Sequence, residues 1–546
     1  MRPFHFLATT FALLLLVAGC ASPAASPAVP AADADMSAAK GGDLEIAFPA
    51  SSEPASLDGH IDPYQSAWLF NSFTADPLVI LAPDATYQGA LAESWESLEG
   101  GLTWTFNLRP DVSFQDGTPF NAAAVKYNIE RVLAPETASA QMAADLGDIA
   151  EVEVVDDLTV TLHFATPSVN LLDALRRMPI WSPTAAEEHG LDGFDRFLVG
   201  AGPFVLEEWV PNDRIVFSKW EDYGGWNAIQ DHEGPAHLDS ITIRFIGEDA
   251  VRAAMLETGD VHIVRELPAA NVEDYEDREG FELITGYQAG TGLQMVINIR
   301  NAPLNILELR QALQWATDQE AVNDLAYGGL YLVSDGPVNV VHPCYWPGAA
   351  EIYGYDPAQA AALLESVGYT DEDGDGIREA HGVPGVEDGT PLSLRWTVLH
   401  HTEIGEVVQG QWREIGIDLK LEQVAGPIQL ERRNARDFDL MYERQRTPDP
   451  AILELVWHSA NDVEGGWAWT GFVDAELDAA VVQILQVADP EERCALAHTA
   501  QRIIMENAVM LPTLSQPQFY ALSDAVHNFQ LSSESPYFFL HNTYIE

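Results

Sequence analysis

The fold is decided by one stretch: Leu91-Ala92-Glu93-Ser94-Trp95-Glu96, then Leu102-Thr103-Trp104-Thr105-Phe106-Asn107-Leu108-Arg109, then Val112-Ser113-Phe114-Gln115-Asp116-Gly117-Thr118-Pro119-Phe120-Asn121-Ala122. Trp104 and Phe106 alternate with Thr103 and Thr105, the period-two pattern of a half-buried strand. Asp116-Gly117 reads as a turn, because Asp bonds its own backbone two residues on and Gly accepts positive φ. Asn121 stands where an N-cap belongs, directly before the amphipathic run 122–133. The stretch is therefore strand, turn and helix, and its aromatic residues are core-builders with no ligand contact expected.

Outward from it, strand-like runs recur at 44–48, 152–155 with 159–164, 214–218, 241–246 and 394–399. Helical patterns fall between them. Asp249 precedes the run 250–257, which stops at Gly259, a suitable C-cap. Runs 309–316, 320–326, 404–415 and 490–507 have helical spacing, as does 357–367 with Pro357 in its first turn. A strand is expected from Val509. Strands and helices alternate without strict βαβ regularity, so an α/β body with mixed sheets is predicted.

The N-terminal segment reads as an address. Arg2 precedes an apolar run, 6–17, too short to span ~30 Å of hydrocarbon at ~1.5 Å per residue. Small residues then lead into Val17-Ala18-Gly19-Cys20, which resembles a bacterial lipobox with Val17 in place of the commoner Leu. Residues 1–19 are expected to be a signal peptide, and Cys20 a lipidated first residue of the mature chain. Residues 20–40, rich in Ala, Ser and Pro, cannot bury enough apolar area to offset their ordering entropy and read as a disordered tether. An extracytoplasmic, lipid-anchored protein follows, in the periplasm or on the outer face of the cell membrane.

Composition narrows the class. In 546 residues there are 84 acidic and 27 basic side chains, a formal net charge of -57, with lysine only at 40, 126, 219 and 420. Such a chain repels a phosphate backbone, so no nucleic-acid partner is expected. There is no Gly-x-Ser-x-Gly elbow, His-Glu-x-x-His helix or P-loop. Gly290-Thr291-Gly292 lacks the third glycine of a dinucleotide loop, since Met295 takes that place. The chain does not read as an enzyme. With Cys20 lipidated, Cys344 and Cys494 remain, in a compartment that permits pairing; a disulfide and two buried thiols are both open.

The opening stretch closely resembles the signature of family 5 extracellular solute-binding proteins, the oligopeptide, dipeptide and nickel receptors of ABC importers. Further motifs continue the resemblance through the mature body. They are Gly202-Pro203-Phe204 with Trp209, Asn212-Asp213-Arg214 and Asp222-Tyr223; Met255-Leu256-Glu257-Thr258-Gly259-Asp260-Val261; and Leu309-Arg310-Gln311-Ala312-Leu313 with Ala316-Thr317-Asp318. Tyr355-Asp356-Pro357, Gly368-Tyr369 and Ile415-Gly416-Ile417 complete it. The resemblance implies a bilobed clamshell of the periplasmic-binding-protein type (class II, cluster C). Lobe I is expected at 41–76, 200–297 and 515–546, its extra subdomain at 77–199, and lobe II at 298–514. Hinge crossings are expected near Asn298–Asn301 and Thr513–Gln518. It also implies a monomer that takes a peptide or small polar ligand between the lobes and docks on permease subunits with cytoplasmic ATPases. The alternatives are a nickel or other metal-chelate receptor, a sensor or adhesin on the same fold, and a secreted hydrolase.

Peptide-binding relatives place an aspartate three residues before the Asp of an Asp-Pro pair to accept the peptide's ammonium. Here the pair is Asp449-Pro450, and Arg446 stands three residues earlier. Arginine suits a carboxylate or other anion instead, unless it and Arg444 merely pair with surface acids. Glu443 or Asp449 is then left to bind an amine. The other candidate ligand residues are His60, Tyr64, Arg177, Trp181, His400, His401, Tyr442, Trp467 and Trp469, with His458 added for a chelate. No cofactor is expected. Asp371, Asp373 and Asp375 look like the start of a calcium loop, but Gly382 holds the position of its bidentate Glu, so calcium is the minority alternative.

Overall fold

The strand Asp43–Pro49 lies inside a seven-stranded sheet, and its residues show why. Leu44, Ile46 and Phe48 point to one face and Ala47 to the other, all four fully buried. A strand buried on both faces takes neighbours on both edges, and it pairs in parallel with Ser240–Ile246 and Ile263–Arg265. Strands Arg214–Lys219 and Phe204–Val210 extend one side, Pro517–Ser523 and Phe281–Tyr287 the other, all antiparallel. This computed structural model describes residues 40–62, 65–82, 86–487, 489–532 and 537–546. Among them no helix is long and apolar enough to cross a membrane.

A second, six-stranded sheet runs in the order Leu332–Val333, Met510–Ser515, Leu293–Ile297, Leu440–Glu443, Ser393–Val398, Asp418–Gln423. Each large sheet has its own apolar core. Phe48, Phe70, Phe73, Phe217 and Phe538 pack in the first, and Leu313, Leu364, Trp396 and Trp412 in the second. We call the first body lobe I and the second lobe II. The opening stretch of the sequence sits in an antiparallel four-stranded sheet, Ala92–Leu98, Thr103–Leu108, Thr159–Phe164 and Ile149–Asp156. The helix Ala122–Leu133 belongs to the same apolar core, and Asn121 caps it by accepting the Ala124 N–H at 3.0 Å.

One expected boundary moves. Leu293–Ile297 does not belong to lobe I; it is a central strand of lobe II, fully buried and paired on both edges. Asn298 is not a hinge either. Its amide donates to the carbonyls of Phe438 and Arg436, which anchors it inside lobe II. The first crossing is therefore residues 288–292, between Phe281–Tyr287 and Leu293–Ile297. The second is Gln516, between Met510–Ser515 and Pro517–Ser523. Within lobe II, Cys344 and Cys494 are joined by a disulfide, their Cα atoms 4.8 Å apart across 150 residues of sequence.

Candidate ligand-binding cleft

The geometry of the site begins at the first crossing. Gly290 has φ +150°, and a Cβ there would lie 2.2 Å from the carbonyl oxygen of Gln445, so only glycine fits. The close approach is needed because the crossing is stitched to the segment after Leu440–Glu443. Thr291 N–H donates to the Gln445 carbonyl (3.0 Å), and Gln445 N–H donates to Thr291 Oγ1 (2.7 Å). Arg444 donates to the side-chain oxygen of Gln516, the second crossing. Both hinge strands thus hold the segment Arg444-Gln445-Arg446.

Beside this segment lies a cavity of about 500 Å³. Lobe I supplies Ser51, Ser52, Asp249, Arg252, Arg265 and Glu266; lobe II supplies Tyr331 and Arg446; Gln516 and Gln518 close it at the crossing. A smaller recess next to it is lined by Arg444, Arg446, Asn339 and Thr291. Arg265 is buried over the face of Phe48 (4.7 Å) and donates to Ser52 Oγ at 3.1 Å. Its guanidinium also meets Glu266 at 3.0 Å, while Arg252 meets Asp249 at 2.8 Å. Three arginines against two carboxylates leave the cavity wall formally positive in a chain of net charge -57.

An aromatic wall backs the lobe II side. Tyr331 stacks on Tyr327 at 3.9 Å, the Tyr327 hydroxyl meets His401 Nδ1 at 2.9 Å, and the His401 ring lies 5.9 Å from Tyr442. Burial, with Arg444 and His400 adding to it, pushes His401 down to about 3. It is therefore neutral and contributes shape, not charge. Burial likewise raises Glu443 to about 7, against hydrogen bonds from Gln294, Gln445 and Thr291 that favour its charged form.

The two carboxylates expected to take an ammonium are otherwise engaged. Asp449 receives two hydrogen bonds from Arg493, at 2.6 and 3.0 Å, and caps Ala451 N–H at 2.8 Å. Glu443 is buried, receives Gln294, and lines neither recess.

The remaining candidates scatter. His60 is buried in a network away from the crossing. It donates from Nε2 to the Pro179 carbonyl (2.9 Å) and accepts from Arg131 (2.8 Å), which pairs with Asp58. Burial lowers it to about 4. It lines a separate cavity of about 340 Å³ with Trp68, Ser139 and Met142. Arg177 pairs with Asp173 (2.7 Å) and Asp145 (3.3 Å), its guanidinium 5.0 Å over Trp68, and lines a third recess of about 70 Å³. Trp181 is no ligand contact: it is fully buried against Phe194 and is core. His400 is exposed and lines none of these cavities, and His458 pairs with Glu454. The Arg433 guanidinium lies 4.9 Å from the Trp467 ring and 5.0 Å from the Trp469 ring, with Trp469 buried in the lobe II core. Tyr64 and Cys20 lie outside the described residues. The Asp371, Asp373 and Asp375 turn is joined by Glu379, all ligand oxygens within 4.8 Å, and none of the four lines the cleft. Sequence reading missed Arg252, Arg265, Tyr331 and Gln516. For Arg265 a signal existed: a charged side chain ending the apolar strand Ile263–Arg265, at the carboxyl end where α/β sheets bind ligands.

Residues 86–462 match the bacterial extracellular solute-binding proteins, family 5 Middle. The chain belongs to that family. This solute-binding protein is thus of the extracytoplasmic class that serves ABC importers. It is 28% identical over 484 residues to the glutathione-binding protein GsiB of Salmonella typhi, covering 84% of this chain and 86% of that one. It is 28% identical over 485 residues to the nickel-binding periplasmic protein of Escherichia coli (strain K12), covering 86% and 88%. Its fold matches NikA from Brucella suis in complex with Fe(III)-EDTA, with TM-score 0.79, 24% identity, and coverage of 92% of this chain and 100% of that one. The oligopeptide-binding protein AppA from Bacillus subtilis, in complex with a nonapeptide, gives TM-score 0.72 at 20% identity, covering 93% and 99%.

Proposed function

We propose that this solute-binding protein captures a polar solute of peptide size through an anionic group, and that the anion contacts Arg446. The observation that carries the reading is the placement of Arg446 in the cavity wall with Arg252 and Arg265, while Asp449 is occupied by Arg493. Among the described residues lining the cavity, Asp249 and Glu266 already face arginines, which disfavours a desolvated ammonium, whereas a lining with more guanidinium than carboxylate suits an anion. Lobe closure would bring Arg446 of lobe II toward Arg265 of lobe I around such a group. Delivery to the permease follows, with the protein acting as a monomer held at the membrane by lipid on Cys20. It breaks no bonds in its ligand.

A metal chelate is the second reading, and the same arginines favour it, because chelates of this kind present carboxylates. The relatives include proteins named for glutathione, nickel and oligopeptide binding, so the ligand's mass separates the readings. Native mass spectrometry of the tagless protein beginning at Ala21 should retain a ligand that fragments as a peptide; a metal-containing mass moves the assignment to the chelate. Calorimetry of Arg446→Asp should then show at least tenfold weaker binding of that ligand. Unchanged affinity places Arg446 outside the contact surface and removes the anion reading.

A further inference from the structure

We propose that the Glu266 carboxylate competes with the solute's anionic group for Arg265, and so selects for oxyanions that take two parallel hydrogen bonds. The proposal rests on the anion-binding cleft described above and names its internal competitor. Arg265 ends the strand Ile263–Arg265 and is 5% exposed in the cavity wall. Among the described residues its guanidinium reaches Ser52 Oγ from Nη1 at 3.1 Å, and its Nη2 lies 3.0 Å from Glu266 Oε1. Its Nε–H is buried and meets no acceptor there. Nε and Nη2 share one edge of the planar group, an edge that takes a carboxylate side-on through two parallel hydrogen bonds. Glu266 therefore meets one donor of an edge that has two. A free oxyanion, not tied to the chain one residue away, can meet both.

The second arginine of the lobe I wall is built differently. Arg252 donates to the carbonyls of Ile246 (3.0 Å) and Glu266 (3.3 Å) as well as meeting Asp249 at 2.8 Å. Those carbonyls hold it whether or not the carboxylate stays, so Arg265 is the guanidinium free to exchange its partner. The chain around Glu266 allows that exchange. Its carbonyl is held by Arg252, and the next N–H, of Leu267, donates to the Phe519 carbonyl at 2.9 Å. The backbone is thus pinned at φ +55°, a region that residues other than Gly, Asn and Asp seldom adopt. Strain kept at a cavity-lining residue is the kind that functional positions carry. The Glu266 side chain is 36% exposed, so its carboxylate can turn into solvent while the backbone stays in place. An incoming group has to displace a carboxylate already at hand, which discriminates against anions that make a single contact.

The test is calorimetric titration of the tagless mature protein beginning at Ala21 with sodium sulfate, at constant ionic strength. Glu266→Gln should bind sulfate about tenfold or more tighter than the wild type, with stoichiometry near one. Asp249→Asn, which removes the same charge from the same cavity, should change the affinity by less than about threefold. The gain should vanish in Arg265→Gln/Glu266→Gln with an unchanged circular dichroism spectrum. Glu266→Gly, at home in the left-handed region, should bind as Glu266→Gln does. If the double variant does not fold, the contrast between Glu266→Gln and Asp249→Asn still decides. No saturable sulfate binding in Glu266→Gln overturns the proposal. So do equal gains in Glu266→Gln and Asp249→Asn, or a gain that survives the loss of Arg265. None of these arms uses Arg446. Sulfate seated on Arg265, together with an Arg446→Asp variant that keeps its solute affinity, would remove the lobe II contact and leave this one standing.

Discussion

Replacing Glu443 with Gln should flatten one part of the pH dependence of stability. Glu443 is 1% exposed, on the strand Leu440–Glu443, and burial raises its carboxyl from 4.5 to about 7. Below pH 4.5 the group is protonated in both folded and unfolded chains, so it costs nothing. Between 4.5 and 7 the unfolded chain releases the proton and the folded one holds it, so stability falls as pH rises, and levels off above 7. A factor of ten in the proton equilibrium is worth about 1.36 kcal/mol, so the span from 4.5 to 7 amounts to about 3 kcal/mol. The amide of Glu443→Gln cannot ionise, yet it keeps an oxygen to accept the Gln294 amide. The variant should gain about 3 kcal/mol on the wild type between pH 4.5 and pH 8. His60, His342 and His401 are all lowered by burial and slope the opposite way below pH 6.5. They are common to both proteins and cancel in the difference. With about 2.1 cal/mol/K per residue, the gap is about 3 °C in Tm if ~500 residues melt together, and about 7 °C if lobe II's ~220 melt alone. Paired thermal melts at half-unit pH steps measure it. A difference that stays flat within about 0.5 kcal/mol would refute a suppressed ionisation at Glu443. The result bears on function, because the less Glu443 is ionised, the more Arg444 and Arg446 set the charge of the cleft segment.

Reducing the Cys344–Cys494 disulfide, or substituting both with Ser, should cost up to about 5 kcal/mol on a loop-closure basis for a sequence separation of 150; identical melts with and without reductant contradict it. Gly290→Ala should weaken solute binding and lower Tm, because its Cβ would meet the Gln445 carbonyl at 2.2 Å; wild-type affinity would show that the crossing tolerates a side chain. Arg493→Ala should destabilise by about 3 kcal/mol through the carboxylate of Asp449 left without its partner, and Asp449→Asn/Arg493→Ala should recover part of it in denaturant unfolding. Added calcium should leave Tm unchanged, since Gly382 replaces the bidentate ligand; a rise that disappears in Asp373→Asn would assign an ion to that turn.

Much of the fold was legible because its causes are local. Thr103–Leu108 and Ala122–Leu133 match the periodicity and cap read from their own residues, and Pro357–Val367 starts at its proline and stops at Gly368 in the left-handed region. The lobe boundary was not legible. Leu293–Ile297 is apolar enough for either sheet, and only its pairing with Leu440–Glu443 and Met510–Ser515 assigns it to lobe II. Gly290 lies in the crossing, but the need for glycine there comes from Gln445, more than 150 residues away.

For the site the division is sharper. The resemblance, with the residue type at 446, raised the expectation that an arginine there would suit an anion better than an ammonium. Residue type could not determine whether Asp449 was available to compensate. That depended on Arg493, 44 residues on, arriving within 2.6 Å. Nor could it place Arg265 and Arg446 in one cavity wall, or keep Trp181 out of it. Helix and strand formation depend on neighbours a few residues apart, so sequence carries them. Charge compensation and cleft lining depend on groups brought together only when two sheets pack and the chain crosses between them twice.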